Sequence, residues 1–171
     1  MNITLHISPE LFNKLQKHLF DHAEEKEQGA FLFAKLEHEY TALHFSVTGL
    51  LELAGDDLHQ QDVDYLELSE NSWPKVIKQA HSLEACLIEV HSHTGPWDAA
   101  FSISDYHGLR ETVPHIWWRL KNRPYMALVF TKEGFDALVW TDSPRNPLPL
   151  DYISVDGLKI KPTNHSLIYW R

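Results

Sequence analysis

Hydrophobic and polar residues alternate with two different periods in the first part of the chain. In Asn2–Ile7 every second side chain is apolar, which predicts a strand with one buried face. Across residues 9–22 the apolar residues recur at helical spacing, which predicts an amphipathic helix. Ser8 can cap that helix, and Pro9 suits its first turn. The chain therefore begins with a strand followed by a helix.

The same patterns continue as a mixture of strands and helices. Further helices are expected over residues 72–83 and from residue 102 toward residue 113, where Pro114 should end or kink the helix. Polar or proline-rich stretches predict loops at residues 54–64, 94–101 and 143–149. Additional strands are predicted at 31–36, 42–53, 65–68, 85–91, Tyr125–Phe130, Phe135–Trp140, Tyr152–Val155 and Leu158–Ile160. This order favours one α/β domain with a central mixed sheet flanked by helices.

Composition narrows the range of possible functions. A net charge of -9 over 171 residues argues against a general nucleic-acid binder, which needs a basic surface. The single cysteine, Cys86, permits neither a disulfide framework nor a cysteine-rich zinc knuckle. Neither a signal-like segment nor a bilayer-length apolar run is visible, so we expect a cytoplasmic protein that does not enter the membrane.

Candidate chemistry lies at the end of the predicted strand 85–91. His91 and His93 are separated by one residue, so an extended backbone directs both imidazoles to the same side. Two imidazoles side by side can hold a divalent metal, and Asp105 can supply an anionic third ligand if the chain folds back. Two histidines at this spacing are a weak signal alone, because surface strands carry them by chance. The further residues of the pattern therefore decide how the pair is interpreted.

Those further residues resemble the motif of the JAMM (JAB/MPN) metalloproteases. The motif has an upstream glutamate, then His-x-His, a loop, and Ser-x-x-Asp. The corresponding residues here are Glu27, His91-Ser92-His93, Ser102 and Asp105, with the apolar strand 31–36 following the glutamate. The loop 94–101 is one residue longer than is usual in the family, and Thr94 stands where a proline is common. The resemblance covers roughly residues 27–120; residues 141–171 would form a C-terminal extension or hairpin.

The resemblance implies a fold, a cofactor and a reaction. The expected fold is the family's cytidine-deaminase-like sheet, and the expected cofactor is one Zn²⁺ held by His91, His93 and Asp105. Glu27 would be the general base and Ser102 the donor to the oxyanion. The implied reaction is hydrolysis of an amide or isopeptide bond after the C-terminal tail of a ubiquitin-like protein. The stand-alone prokaryotic members are the most similar, and they work beside E1-like and E2-like proteins or sulfur-carrier proteins.

Several alternatives remain open from the sequence. Glu89 lies two residues before His91 on the same predicted face, so it competes with Glu27 for the role of base. Ser102 and Asp105 could serve only to cap a helix. The chain could also be a metal hydrolase that releases a small amino acid from a sulfur-carrier protein. A third possibility is a non-catalytic module that binds a ubiquitin-like protein.

Overall fold

The computed structural model describes residues 1–22, 25–62 and 65–170, and its main feature is one curled, eight-stranded mixed sheet. The described strands are β1 Asn2–Ile7, β2 Gly29–Glu39, β3 Ala42–Glu52, β4 Leu58–Gln61, β5 Leu66–Leu68, β6 Cys86–Ser92, β7 Tyr125–Phe130, β8 Phe135–Trp140, β9 Tyr152–Val155 and β10 Leu158–Ile160. The described α-helices are α1 Pro9–Phe20, α2 Ser72–Ser82 and α3 Ile103–Arg119. The predicted α/β class with a flanked mixed sheet is therefore confirmed.

The sheet combines parallel and antiparallel neighbours in the order β10-β9-β1-β3-β2-β6-β7-β8. β6 lies near the centre, antiparallel to β2 and parallel to β7. Such a central position explains why Leu87, Ile88 and Val90 of β6 are buried almost completely. The strand that carries the two histidines is therefore held on both sides by its neighbours.

Two apolar layers cover the two faces of the sheet. On one face, Leu15 and Leu19 of α1 pack against strand residues such as Ile88. On the other face, α2 and α3 contribute Val76, Val113 and their apolar neighbours to a second cluster. Leu87 belongs to this second cluster, and strand alternation places Glu89 and His91 on the same face as Leu87. The candidate residues thus lie on the side of the sheet that α2 and α3 cover.

Two element boundaries differ from those expected from the sequence: Pro114 does not end its helix, and residues 54–64 are not only a loop. α3 continues through Pro114 to Arg119, because its buried residues Val113 and Ile116 pack on the sheet on both sides of the proline. Proline removes one backbone donor, and tertiary packing outweighs that loss. The stretch 54–64 is not simply a loop: it contains a short 3-10 turn and β4, which pairs with β5 as a small second sheet. Residues 63 and 64 of that stretch lie outside the described residues.

The C-terminal part of the chain completes the sheet. β9 and β10 form the predicted hairpin, with Asp156 and Gly157 at positive φ angles of 49° and 85°. β9 also pairs in parallel with β1, so an early strand and a late strand of the chain are neighbours in the sheet. None of the helices in the described part of the chain is long and apolar enough to cross a membrane.

Candidate metal centre

The two histidines emerge from the end of β6 and converge. Their Nε2 atoms lie 3.1 Å apart, and the ring centroids are separated by 4.9 Å. Both side chains are mostly buried, at 15% and 18% exposure for His91 and His93. The His93 backbone N–H donates to the carbonyl of Phe130 at the end of β7, which fixes the histidine just beyond its own strand.

Asp105 completes a triangle with the two imidazoles. Its Oδ2 lies 3.2 Å from His91 Nε2 and 3.1 Å from His93 Nε2. In a tetrahedral zinc site with bonds of about 2.0–2.1 Å, neighbouring ligand atoms are separated by about 3.3 Å. The three atoms therefore have nearly the mutual spacing of three ligands around one ion, with the fourth direction left to solvent or substrate. The donor set of two nitrogens and one carboxylate oxygen also suits zinc.

The position of Asp105 follows from the start of α3. Ser102 Oγ accepts a hydrogen bond from Asp105 N at 3.0 Å, and Asp105 Oδ2 accepts one from Ser102 N at 2.8 Å. This reciprocal pair is the capping box that the Ser-x-x-Asp spacing predicts. The cap and the metal-facing geometry coexist, because the oxygen that closes the cap also faces both imidazoles.

Glu27 reaches the same centre from the chain just before β2. Its Oε1 lies 3.7 Å from His93 Nε2, and the residue is only 5% exposed. Ligand atoms of Glu27, His91 and His93 all lie within 4.8 Å of one another, so these three residues could hold a metal ion. Two carboxylates, Glu27 and Asp105, therefore flank the histidine pair, and Asp105 is the nearer one.

Backbone contacts from two directions hold Glu27 in place. Its N–H donates to the carbonyl of Asp62 at 2.8 Å, and its carbonyl accepts from Gln61 Nε2 at 2.9 Å. The next residue, Gln28, donates its N–H to Ser92 Oγ and accepts from Ser92 N, both at 2.9 Å. Ser92 was missed as a functional candidate. Its location between two same-face histidines, pointing to the opposite side of the strand, was the available signal.

The carboxylates of the centre favour the protonated, positively charged form of His91. Burial lowers the pKa of His91, but the Asp105 carboxylate outweighs it, with help from Glu27, and the pKa rises to about 9. Burial opposes ionisation of Asp105, yet His91 and hydrogen bonds from both histidines and Ser102 hold the pKa of this carboxyl well below its usual range. Both shifts have the same physical cause, the close approach of the Asp105 carboxylate to the two imidazoles.

Glu89 lies beside the centre without joining it. It lines the same cleft as Glu27, His91 and Asp105, but among the described residues it forms no ion pair with either histidine, whereas Asp105 and Glu27 do. Burial raises the pKa of the Glu89 carboxyl to about 7, opposed by His91 and reinforced by Asp105. Of the two glutamates left open by the sequence, Glu27 is therefore the one that the fold brings to the histidines.

The C-terminal segment supports the loop that approaches His91. The Phe101 ring lies 5.8 Å from that of His91, and the Phe101 N–H donates to Ser166 Oγ at 2.7 Å. Ser166 N in turn donates to the buried Asp136 carboxylate at 2.9 Å, and Thr163 Oγ1 donates to the Ala99 carbonyl at 2.6 Å. Sequence reasoning assigned no role to this segment, because the contacts join residues about sixty-five positions apart.

Comparison with known proteins leaves the family open. No model of a known protein family matches the sequence, and no curated protein matches it. Among solved structures, the N-terminal domain of STIL from Trichoplax adhaerens is similar over 79% of this chain and 41% of that chain, with 12% identity and a TM-score of 0.41. This chain thus spans less than half of that structure, and the likeness does not bear on activity.

Proposed function

We propose that this chain is a zinc-dependent peptidase or isopeptidase of the JAMM type. The substrate would be an amide or isopeptide bond that follows the C-terminal tail of a ubiquitin-like protein. The observation that carries the proposal is the triangle of His91, His93 and Asp105 atoms at 3.1–3.2 Å with a carboxylate, Glu27, at 3.7 Å from one corner. A structural zinc site would be closed by four protein ligands, whereas this arrangement offers three and a nearby base.

Each residue of the centre then has a separate role. His91, His93 and Asp105 would hold the ion, because Asp105 is closer to both imidazoles than Glu27 is to His93. When bound, zinc would supply Lewis acidity, lowering the pKa of water and polarising the substrate carbonyl. Glu27 would accept a proton from the attacking water at a carboxylate oxygen and then deliver it to the leaving amine.

Ser102 would stabilise the oxyanion. Its Oγ accepts from Asp105 N, which leaves the hydroxyl hydrogen available to donate into the cleft that Ser102 lines. A donor fixed by a helix cap is preorganised, and such donors are effective at a developing negative charge. The Asp105 and Ser102 pair would therefore connect the metal ligands to the oxyanion donor through one turn of helix.

The cleft also offers a path for an extended tail. A volume of about 490 Å³ begins at the centre and continues between β5 and the first turns of α3. In the described part of the chain, β5 pairs only with β4, so its other edge retains backbone groups for strand addition. A tail bound in this way would present its last peptide bond to His91 and Glu27.

Metal content and cleavage test the proposal. Purified protein should contain one zinc ion per chain, and Asp105→Asn should lower zinc affinity by at least about tenfold, whereas Asp98→Asn in the exposed loop should not. Glu27→Gln should retain zinc and lose cleavage of a ubiquitin-like-tail fusion by about a hundredfold or more. Zinc-free active protein, or full activity in Glu27→Gln, would reject this assignment.

Two further measurements address the remaining alternatives. Glu89→Gln, measured beside Glu27→Gln, tests the competing base directly, and only Glu27→Gln should abolish turnover. Comparing linked ubiquitin-like chains with sulfur-carrier tails bearing a single amino acid separates the isopeptidase from the carrier hydrolase. A chain that binds such proteins and cleaves neither would be a binding module.

A further inference from the structure

A second concavity lies at the far end of α3 from the candidate centre. It has a volume of about 610 Å³ and opens between α2 and the last turn of α3, where His81 donates to the Arg119 carbonyl at 2.9 Å. Asp105 lies in the first turn of α3 and Arg119 is its last residue, so about 20 Å of helix separates the two places. We call this space the basic groove, and the lining residues that matter below are Ile77, Lys78, Trp118, Arg119 and Lys121.

The formal charges in the lining of the basic groove are all positive. Lys78, Arg119 and Lys121 line it, and no aspartate or glutamate does, although the chain as a whole has a net charge of -9. Among the ion pairs formed by the described residues, none involves any of these three cations. Lys75, about one turn earlier on α2, does pair, with Asp57 at 3.4 Å. The groove therefore collects cations that the fold itself does not neutralise.

Lys121 stands at a backbone position that favours glycine. Its φ angle is 56° and that of Asn122 is 62°. The Asn122 N–H donates to the Trp117 carbonyl at 2.9 Å, and the Lys121 N–H donates to the Trp118 carbonyl at 3.1 Å. This is the Schellman ending of a helix, in which glycine is the usual residue at the left-handed position that Lys121 occupies. A lysine here gives up backbone stability and places a cation on the wall of the groove.

The groove also offers apolar surface. Trp118 is 74% exposed, whereas its neighbour Trp117 is 7% exposed and belongs to the core. Ile77, at 4% exposure, forms part of the floor. Tryptophan and arginine are enriched among the residues that contribute most to protein–protein binding, and charge complementarity orients the partner. An occupant of this groove therefore needs carboxylates for the cations and an apolar side chain for Trp118 and Ile77.

We propose that the basic groove docks an acidic segment of a partner protein, in which carboxylates alternate with apolar side chains. Lys78, Arg119 and Lys121 pair with the carboxylates, and Trp118 packs on an apolar side chain above Ile77. A nucleic-acid strand fits less well, because it would extend beyond the groove over a chain whose net charge is -9. The docking site is remote from the candidate centre, so it does not depend on the proposed function.

Two matched peptides test the inference on the full chain. One is a short fluorescent peptide of alternating glutamate and leucine, and the other carries glutamine in place of every glutamate. Fluorescence anisotropy measures the binding of each peptide. We expect the glutamine peptide to bind about tenfold more weakly, and the affinity for the glutamate peptide to decrease at high salt.

Variants locate the binding. Lys78→Gln and Lys121→Gly should each weaken binding of the glutamate peptide by about threefold, and the double variant by about tenfold. Trp118→Ala should weaken it by about tenfold. The matched controls are Lys14→Gln on the exposed side of α1 and Trp97→Ala, whose side chain is 73% exposed; both lie outside the groove and should leave binding unchanged. Lys121→Gly should unfold at the same or a higher urea concentration than wild type, so its loss of binding would not come from unfolding.

Several results would overturn the inference. Absence of binding by the glutamate peptide, equal binding of the two peptides, or unchanged affinity in the double variant of Lys78 and Lys121 each contradicts it. If single-stranded DNA binds more tightly than the glutamate peptide, the groove is a nucleic-acid site. If sedimentation shows self-association that is lost in Trp118→Ala, the occupant is a second copy of the chain, and the inference also fails. The zinc content of the double variant should equal that of wild type, and a change would contradict the separation of the groove from the candidate centre.

Discussion

Replacing Ser92 with alanine should destabilise the protein and disturb the candidate centre at the same time. Ser92 is fully buried, and its Oγ accepts the N–H of Gln28, itself 7% exposed, at 2.9 Å. Alanine removes the acceptor and leaves the N–H of the buried Gln28 without its partner. The reciprocal bond from Ser92 N to the Gln28 carbonyl is retained.

The magnitude follows from the cost of an orphaned donor. An unsatisfied buried N–H costs about 1–3 kcal/mol, so the free energy of unfolding should fall by about 2 kcal/mol. In a chain of 171 residues that decrease corresponds to a Tm lower by roughly 4–8 °C. Ser46→Ala is a matched control: Ser46 is half-buried in β3, and its hydroxyl makes no hydrogen bond within the described structure.

Urea unfolding of metal-free protein, followed by circular dichroism, measures the first effect. Zinc-loaded Ser92→Ala should then show a lower kcat than wild type with its zinc content retained, because Gln28 no longer holds Glu27 beside His93. If Ser92→Ala and Ser46→Ala unfold at the same urea concentration, the bond contributes nothing measurable. If stability falls but kcat does not, Ser92 does not position Glu27.

Three other predictions concern charge, the C-terminal segment and the cysteine. The Asp105 carboxylate raises the pKa of His91 from 6.5 to about 9, although burial opposes this shift. The pair should therefore stabilise the metal-free fold fully below about pH 6.5. That stabilisation should be lost as the pH rises through about 9. Urea midpoints in chelator should decrease across this window in wild type and not in His91→Gln. Ser166→Ala removes the acceptor for Phe101 N–H, so limited proteolysis should cut the loop 94–101 faster than in wild type. Burial raises the pKa of the Cys86 thiol to about 11, so a thiol reagent at pH 8 should react with it only after denaturation; rapid reaction of the native protein would contradict its burial.

Local patterns were sufficient for most of the secondary structure. Alternation in β1 and helical spacing in α1 depend on neighbours along the chain, and both elements form where they were predicted. The same holds for the Ser102 cap of α3 and the Asp156–Gly157 turn, because a cap and a tight turn are closed by residues only a few positions apart. Pro114 failed as a boundary because helix α3 is stabilised by packing on the sheet, which no local pattern records.

The candidate centre, too, was predicted in part by local sequence patterns and depends in part on the tertiary structure. The one-residue spacing of His91 and His93 by itself determined that both imidazoles share a face of β6, since side-chain direction alternates along any strand. The family resemblance favoured Glu27 over Glu89, although Glu89 is the neighbour in sequence. Only the tertiary structure shows how Glu27 comes close: the pairing of β2 with β6 brings it within 3.7 Å of His93. The contacts of Ser92 with Gln28 and of Ser166 with Phe101 were also beyond local pattern. They join positions more than sixty residues apart, and such partners become neighbours only when the sheet order is complete.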